Sequence, residues 1–318
     1  MNKFKNKNLL QAKINKNDEF YTKYEDIENE IKFYKNCLKD KVIYCNCDDE
    51  NSNFWLYFSN NFKELGLKKL IATHIDLNSN SYKLEYNGCN IIKTDLKQNG
   101  DIFSDECINI LINSDIIITN EPFSLWRDYF QLLIKYNKKF LIIGNMNAII
   151  YADTFKKIKE NKIWLGVTSP KEFVQPNGSI KKFGNICWFT NLKNGKKNNY
   201  IDNHIDYELH KDDYFKYHNY DAIEVSKINK IPNNYNGVMG VPITFLSKYN
   251  PDQFEIIGLT SSKYTMPIPV VFGKQFIKDY REQGGTGHFS ENMYGVGYYN
   301  KEGKAKIGYS RILIKRLY

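Results

Sequence analysis

The chain has 318 residues, 42% of them hydrophobic, with 45 Lys and Arg against 36 Asp and Glu, for a formal net charge of +9 and a pI near 8.9. That length supplies a sizeable core in one large or two ordinary domains; no secretory apolar segment is read after Met1, and no apolar run approaches the roughly 18 residues needed to span a membrane. The basic balance favours a polyanionic partner through counterion release, although a generally Lys-rich proteome gives the same balance.

Residues 1–17 are polar and rich in Lys and Asn, and read as a flexible arm. Ile27, Ile31, Phe33, Tyr34 and Leu38 recur at close to helical spacing over 26–38. Residues 42–45 read as a short buried strand. A helix with a broad apolar face follows over 53–65, and Gly66 suits its C-terminal cap. Residues 70–75 form the next strand and end at Asp76. The alternation of 82–86 runs into Asn87-Gly88, a hairpin turn signal, so Ile91 and Ile92 belong to its return strand or to the central sheet. Ser104 is a candidate N-cap for a helix over 105–112. Next come a strand at 116–119, a helix-like stretch at 124–136 and a strand at 140–143 closed by Gly144. A helix at 153–159 and a strand at 163–167 follow. Strands and helices alternating at this spacing over about 40–190 predict a parallel sheet with crossover helices, in which ligands bind at the carboxyl ends of the strands. Asp76, Asn120 and the segment after Cys45 all fall at such ends, so one crevice could hold them. Beyond about 195 the texture changes, to irregular polar sequence, β-like runs at 243–245 and 254–259, a Gly/Tyr-rich stretch at 284–299 and a basic end at 310–316.

The six cysteines, Cys37, Cys45, Cys47, Cys89, Cys107 and Cys187, are scattered, as reduced thiols of a cytoplasmic protein would be. Neither they nor the five histidines show metal-ligand spacing, so no metal site is predicted. The most informative feature is Asn120-Glu121-Pro122-Phe123, placed between an apolar strand and a helix. A base with an exocyclic amine suits such a turn. The Asn120 side-chain oxygen and the Glu121 carbonyl can accept both N–H bonds as the nitrogen turns nucleophilic, which stabilises the developing positive charge. Pro122 stiffens the turn and Phe123 can stack on the base. The same four residues also suit a plain strand-to-helix turn in which Pro122 starts the helix.

Longer segments extend the pattern: 18–22, 42–49 with Ser52-Asn53-Phe54, 100–107, 120–127, 139–145, 240–245 and 284–299. Together, in this order, they resemble the EcoRI-type adenine-specific DNA methyltransferases over about residues 18–316. The resemblance implies an α/β, Rossmann-like methyltransferase domain at 18–195, with S-adenosylmethionine as cofactor, and a smaller target-recognition region at 196–318. It implies that Phe20, Tyr21 and Thr22 cover the cofactor and that Cys45, Asn46, Cys47 and Asp48 wrap its methionine part. Asp76 would bind ribose hydroxyls, Asp101 would accept from the cofactor's adenine amine, and Ile102 and Phe103 would lie against that ring. Double-stranded DNA is the implied substrate, methylated by a monomer that makes no direct contact with any companion restriction endonuclease. An adenine inside a duplex must be flipped out to reach such a turn. In the recognition region Arg281, Gln283 and Asn292 suit base edges, while Lys304, Lys306, Arg311, Lys315 and Arg316 suit phosphates. The family usually has Pro where this chain has Glu121, a change that keeps the backbone carbonyl but adds a carboxylate. A non-catalytic DNA-binding protein is therefore a rival reading. A second rival is a metal-dependent nuclease, from the Glu160-x-Lys162 spacing with Asp153 upstream.

Overall fold

The computed structural model describes residues 20–46, 48–75, 80–120, 123–175, 177–193 and 199–317. Two compact units emerge, Met1–Ala148 with Ile163–Lys196, and Ile149–Lys162 with Lys197–Tyr318.

In the first unit, β1 (Tyr21–Thr22) leads into α1 (Tyr24–Ile31) and the short α2 (Lys35–Leu38), so the helix expected over 26–38 breaks in two. Ile27, Ile31, Tyr34 and Leu38 still share one buried face. Then come β2 (Val42–Asn46), α3 (Asn53–Asn60), β3 (Lys69–His74), and the hairpin of β4 (Tyr82–Tyr86) and β5 (Ile91–Asp95). The Ser52 and Ser104 hydroxyls accept from Trp55 N and Cys107 N, capping α3 and α4 (Asp105–Asn113). The unit continues with β6 (Ile116–Thr119), α5 (Trp126–Lys135), β7 (Lys139–Asn145), then β8 (Trp164–Leu165), β9 (Glu172–Val174), β10 (Ile180–Lys182) and β11 (Ile186–Thr190).

Eight of these strands form one sheet in the order β5-β4-β3-β2-β6-β7-β11-β8. The pairs β3-β2, β2-β6 and β6-β7 are parallel, and the flanking pairs are antiparallel. The parallel centre follows from strands apolar on both faces: all four residues of β6 are buried. The expected parallel sheet is found at the centre and is corrected at both edges, where the β4–β5 hairpin on one side and β11 with β8 on the other add antiparallel strands. Ile91 and Ile92 belong to both candidates at once, since the return strand of the hairpin is also the sheet's edge. A second sheet, β1-β9-β10, is antiparallel. This mixed α/β architecture with a large central sheet fits a methyltransferase fold.

The second unit begins with α6 (Ala152–Lys159). Its sheet runs β12 (Ala222–Glu224), β13 (Val238–Pro242), β17 (Arg311–Arg316), β14 (Phe254–Leu259). The unit also holds α7 (Lys274–Glu282), which packs on the hairpin of β15 (Gly297–Tyr299) and β16 (Ala305–Ile307) through an apolar cluster of Phe272, Phe276, Ile277 and Ala305. Residues 243–245, read as β-like, lie instead in a 3-10 helix, Ile243–Lys248, which begins directly after Pro242 closes the ladder.

Candidate active site

The segment before α1 is held by two side-chain amides. Asn120, the residue after β6, donates Nδ2 to the Phe20 carbonyl at 2.6 Å. Asn53, the first residue of α3, donates to the Thr22 carbonyl at 2.7 Å. From the other side β1 pairs with β9, Tyr21 opposite Val174 and Thr22 opposite Phe173. The Phe20 ring lies nearly parallel to Phe123, with centroids 6.2 Å apart and planes at 23°. Phe183 meets Phe20 edge-on at 4.9 Å and Phe123 at 6.2 Å, and Phe173 closes the group.

The two ends of an amide are nearly isosteric, and their partners decide which faces which way. With Nδ2 committed to a carbonyl, Asn120 presents its oxygen on the other side. That Oδ1 is buried and has no hydrogen-bond partner among the described residues. Leaving a buried acceptor unpaired costs about 1–3 kcal/mol, so such a group points to a ligand that completes it. Two further buried polar atoms on neighbouring segments share this condition, Thr22 Oγ1 and Asp48 Oδ2.

Asp48 follows β2. Its N–H donates to the Thr73 carbonyl at 2.9 Å, which ties the loop to β3. The residue as a whole is half-buried, but Oδ2 is sealed from solvent. Burial pushes this carboxyl up to about 7, opposed by a hydrogen bond with Ser52 and reinforced by the charge of Asp49. β2 and β6 are joined at their carboxyl ends. Thr119 Oγ1 donates to the Asn46 carbonyl at 2.9 Å, and Tyr129 OH to Asn46 Oδ1 at 2.6 Å.

At the carboxyl end of β3, Gly100 has φ +73° and packs where a Cβ would stand 3.0 Å from the His74 carbonyl, so any side chain there would be strained. The Ser81 hydroxyl donates to the Asn99 carbonyl at 2.9 Å. The loop so pinned opens a pocket of about 480 Å3 lined by Gln98, Asn99, Asp101, Phe103, Ser104 and Asp105. One Asp101 oxygen accepts from Phe103 N at 2.9 Å.

The sequence-predicted residues divide. Phe20, Thr22, Asp48, Asn120 and Phe123 stand on segments that meet at the strand ends, and Asp101 and Phe103 line the adjoining loop pocket. Tyr21 is half exposed. Cys45 is buried in the main apolar cluster, and burial raises its thiol well above the ordinary range, so its side chain is core. Asn46 is buried as a brace between strands, and Ile102 is 2% exposed. Cys47, Asp76, Glu121 and Pro122 lie outside the described residues, as does the arm at 1–17. In the second unit Asn292, Lys304, Lys306 and Lys315 are exposed. Arg281 donates to the Phe289 carbonyl, and Gln283 braces the β15–β16 hairpin through Ala305 N and the Gly303 carbonyl. Arg316 is half-buried, stacked 4.9 Å over the Phe254 ring. Arg311 does not fit a phosphate contact. It is 9% exposed, its guanidinium grips both oxygens of buried Glu224, and Tyr217 donates to the same carboxylate. Glu160, from the nuclease spacing, pairs at the surface with Lys162 and Lys157. No group of three or more His, Cys, Asp or Glu among the described residues could hold a metal ion. Asn53, Phe173 and Phe183 join the site beyond the sequence expectation: Asn53 stands in the Ser52-Asn53-Phe54 segment, and Phe173 and Phe183 carry no local signal.

An oriented amide, an adjacent aromatic and a loop pocket thus stand at the carboxyl ends of a mixed α/β sheet. The family described as "Adenine-specific methyltransferase EcoRI" matches residues 8–317. The chain is 46% identical to the Type II methyltransferase M.EcoRI of Escherichia coli, across 79% of this chain and 89% of the relative. It is 41% identical to M.MpnI of Mycoplasma pneumoniae and 40% identical to M.MgeORF184P of Mycoplasma genitalium, both named Type II methyltransferases, each across 80% of this chain and 86% of the relative. No solved structure matches the chain. The protein belongs to the EcoRI family of adenine-specific methyltransferases.

Proposed function

We propose that this protein is a site-specific DNA adenine N6-methyltransferase of a restriction-modification type, using S-adenosylmethionine. The observation that carries the proposal is the buried, unpartnered Asn120 Oδ1, turned away from the Phe20 carbonyl by the hydrogen bond that Nδ2 donates to it. Had the amide the opposite orientation, it would meet the adenine amine donor to donor. In the orientation it has, Oδ1 can accept one N6–H, and the other would fall to the Glu121 carbonyl, the acceptor the sequence motif supplies. Asn120 Oδ1 is fixed before the nitrogen acquires positive charge, and an acceptor fixed in advance lowers the barrier rather than only binding the ground state. Phe123 stacks on the extruded base, offsetting the few kcal/mol that unstacking costs.

When bound, S-adenosylmethionine supplies an electrophilic methyl group. Asp48 would face its cationic part with Oδ2, Thr22 would offer its hydroxyl, and Asp101 would receive its adenine end in the loop pocket. The first unit then acts as the Rossmann-like catalytic domain and the second as the target-recognition region, with the exposed Lys304, Lys306 and Lys315 suited to phosphates. Duplex DNA is the substrate of a monomer that works without contact to any companion endonuclease. Sequencing DNA from cells expressing the protein, with detection of 6-methyladenine, tests this directly. The expected result is one recurrent motif methylated at a fixed adenine. Absence of the mark despite measured cofactor binding would overturn the catalytic reading and leave a DNA-binding protein.

A further inference from the structure

The aromatic wall beside Asn120 carries a cation that none of the roles above uses. Lys181 is exposed on β10, directly opposite Phe173 in the β9–β10 register, so both side chains share a face of the hairpin. Its Nζ lies 5.0 Å from the Phe20 ring centroid and 5.4 Å from that of Phe183, both within cation–π range. Two neighbouring cations share one carboxylate. Lys182 pairs with Glu172 at 3.1 Å, and Lys23 pairs with the same carboxylate. No carboxylate pairs with Lys181 among the described residues. Lys181 is thus an ammonium of the hairpin with no carboxylate on it, held on the ring that lies against Phe123.

We propose that Lys181 binds a phosphodiester flanking the extruded nucleotide. The proposal rests on the adenine methyltransferase reading. A base stacked on Phe123 leaves its sugar and flanking phosphates at the mouth of the aromatic group, within the sweep of a four-carbon side chain. A cation–π contact at an exposed site is worth about 0.5–1 kcal/mol. That is enough to hold the ammonium near the mouth and too little to keep it from a phosphate. Because the contact needs a nucleotide in the site, it forms on the methylated sequence and not on unrelated duplex.

The test is the salt dependence of DNA affinity, measured by fluorescence anisotropy between 50 and 200 mM salt. The probes are a duplex bearing the motif found by the sequencing above and a scrambled duplex. Lys181→Ala should reduce the slope of log affinity against log salt on the motif duplex by about 0.9, the value for one phosphate, and leave the scrambled duplex unchanged. Lys181→Arg and the neighbouring Lys182→Ala should keep the wild-type slope, and cofactor affinity should not move. An unchanged slope for Lys181→Ala on the motif duplex overturns the proposal. So does an equal loss on both duplexes, which would mean a diffuse field rather than a contact to the extruded nucleotide. A wild type that methylates no duplex overturns the functional reading itself.

Discussion

With Asp48 facing the cofactor's cationic part, as proposed, cofactor affinity should depend on pH in a calculable way. In the free protein burial holds it at about 7, well above its ordinary 3.8. A cationic ligand group beside Oδ2 favours the ionised form and returns the carboxyl toward the ordinary range. Below pH 7, binding must therefore expel a proton, and affinity falls tenfold per pH unit. Between pH 8 and pH 6 the apparent Kd should rise about tenfold, equivalent to about 1.4 kcal/mol. Titration calorimetry in two buffers of different ionisation enthalpy would show the proton release directly, near one at pH 6 and near zero at pH 8. The stability of the free protein runs the other way. The folded carboxyl binds its proton more tightly than the unfolded one, so stability is greatest when it is protonated and declines as pH rises from about 4 through 7. The gain in Tm on adding cofactor should accordingly grow with pH.

The groups around Asp48 do not confuse the reading. Asp49 raises its affinity for protons, Ser52 lowers it, and burial pushes the Cys45 thiol far up, so that thiol stays neutral throughout. Asp48→Asn copies the protonated form in shape. It should bind cofactor more weakly at pH 8 and show no pH response between 6 and 8. A wild-type Kd that is flat over that range, or an Asp48→Asn variant that keeps the wild-type slope, would refute the reasoning.

Other substitutions separate chemistry from architecture. Asn120→Asp places a second acceptor against the Phe20 carbonyl and should lower kcat by about 10²–10³, with cofactor affinity retained; single-turnover methylation kinetics will decide. Glu30 is 0% exposed and accepts from Val167 N, Thr168 N, the Thr168 hydroxyl and Tyr34 OH. Glu30→Ala strands those donors and should cost about 3 kcal/mol or more in chemical denaturation; a midpoint equal to wild type would contradict it. Arg311→Ala leaves Glu224 as an uncompensated buried charge and should destabilise by about 3–5 kcal/mol. The salt slope of DNA binding should stay unchanged, and a slope lowered by one phosphate would restore Arg311 to the DNA contacts.

What the sequence disclosed and what it hid follow from the range of the interactions involved. The parallel strands were legible because both of their faces are buried, which writes a continuous apolar run such as Ile116-Ile117-Ile118 into the chain. Five consecutive buried residues at 186–190 make β11 just as apolar, yet its antiparallel place beside β7 depends on a register that no local pattern carries. Arg311 looked like a surface cation because its partner is 87 residues away. Asn120 was visible in its tetrapeptide, since a short turn must carry its own acceptors. What aims Asn120 was invisible, because the aiming group is a backbone carbonyl 100 residues earlier, and a carbonyl is common to every residue type. Motifs of this kind therefore locate a reacting group more reliably than they orient it. The orienting contacts sit where distant segments meet, and here that junction is residues 20–22, bound at once by Asn120, Asn53 and β9.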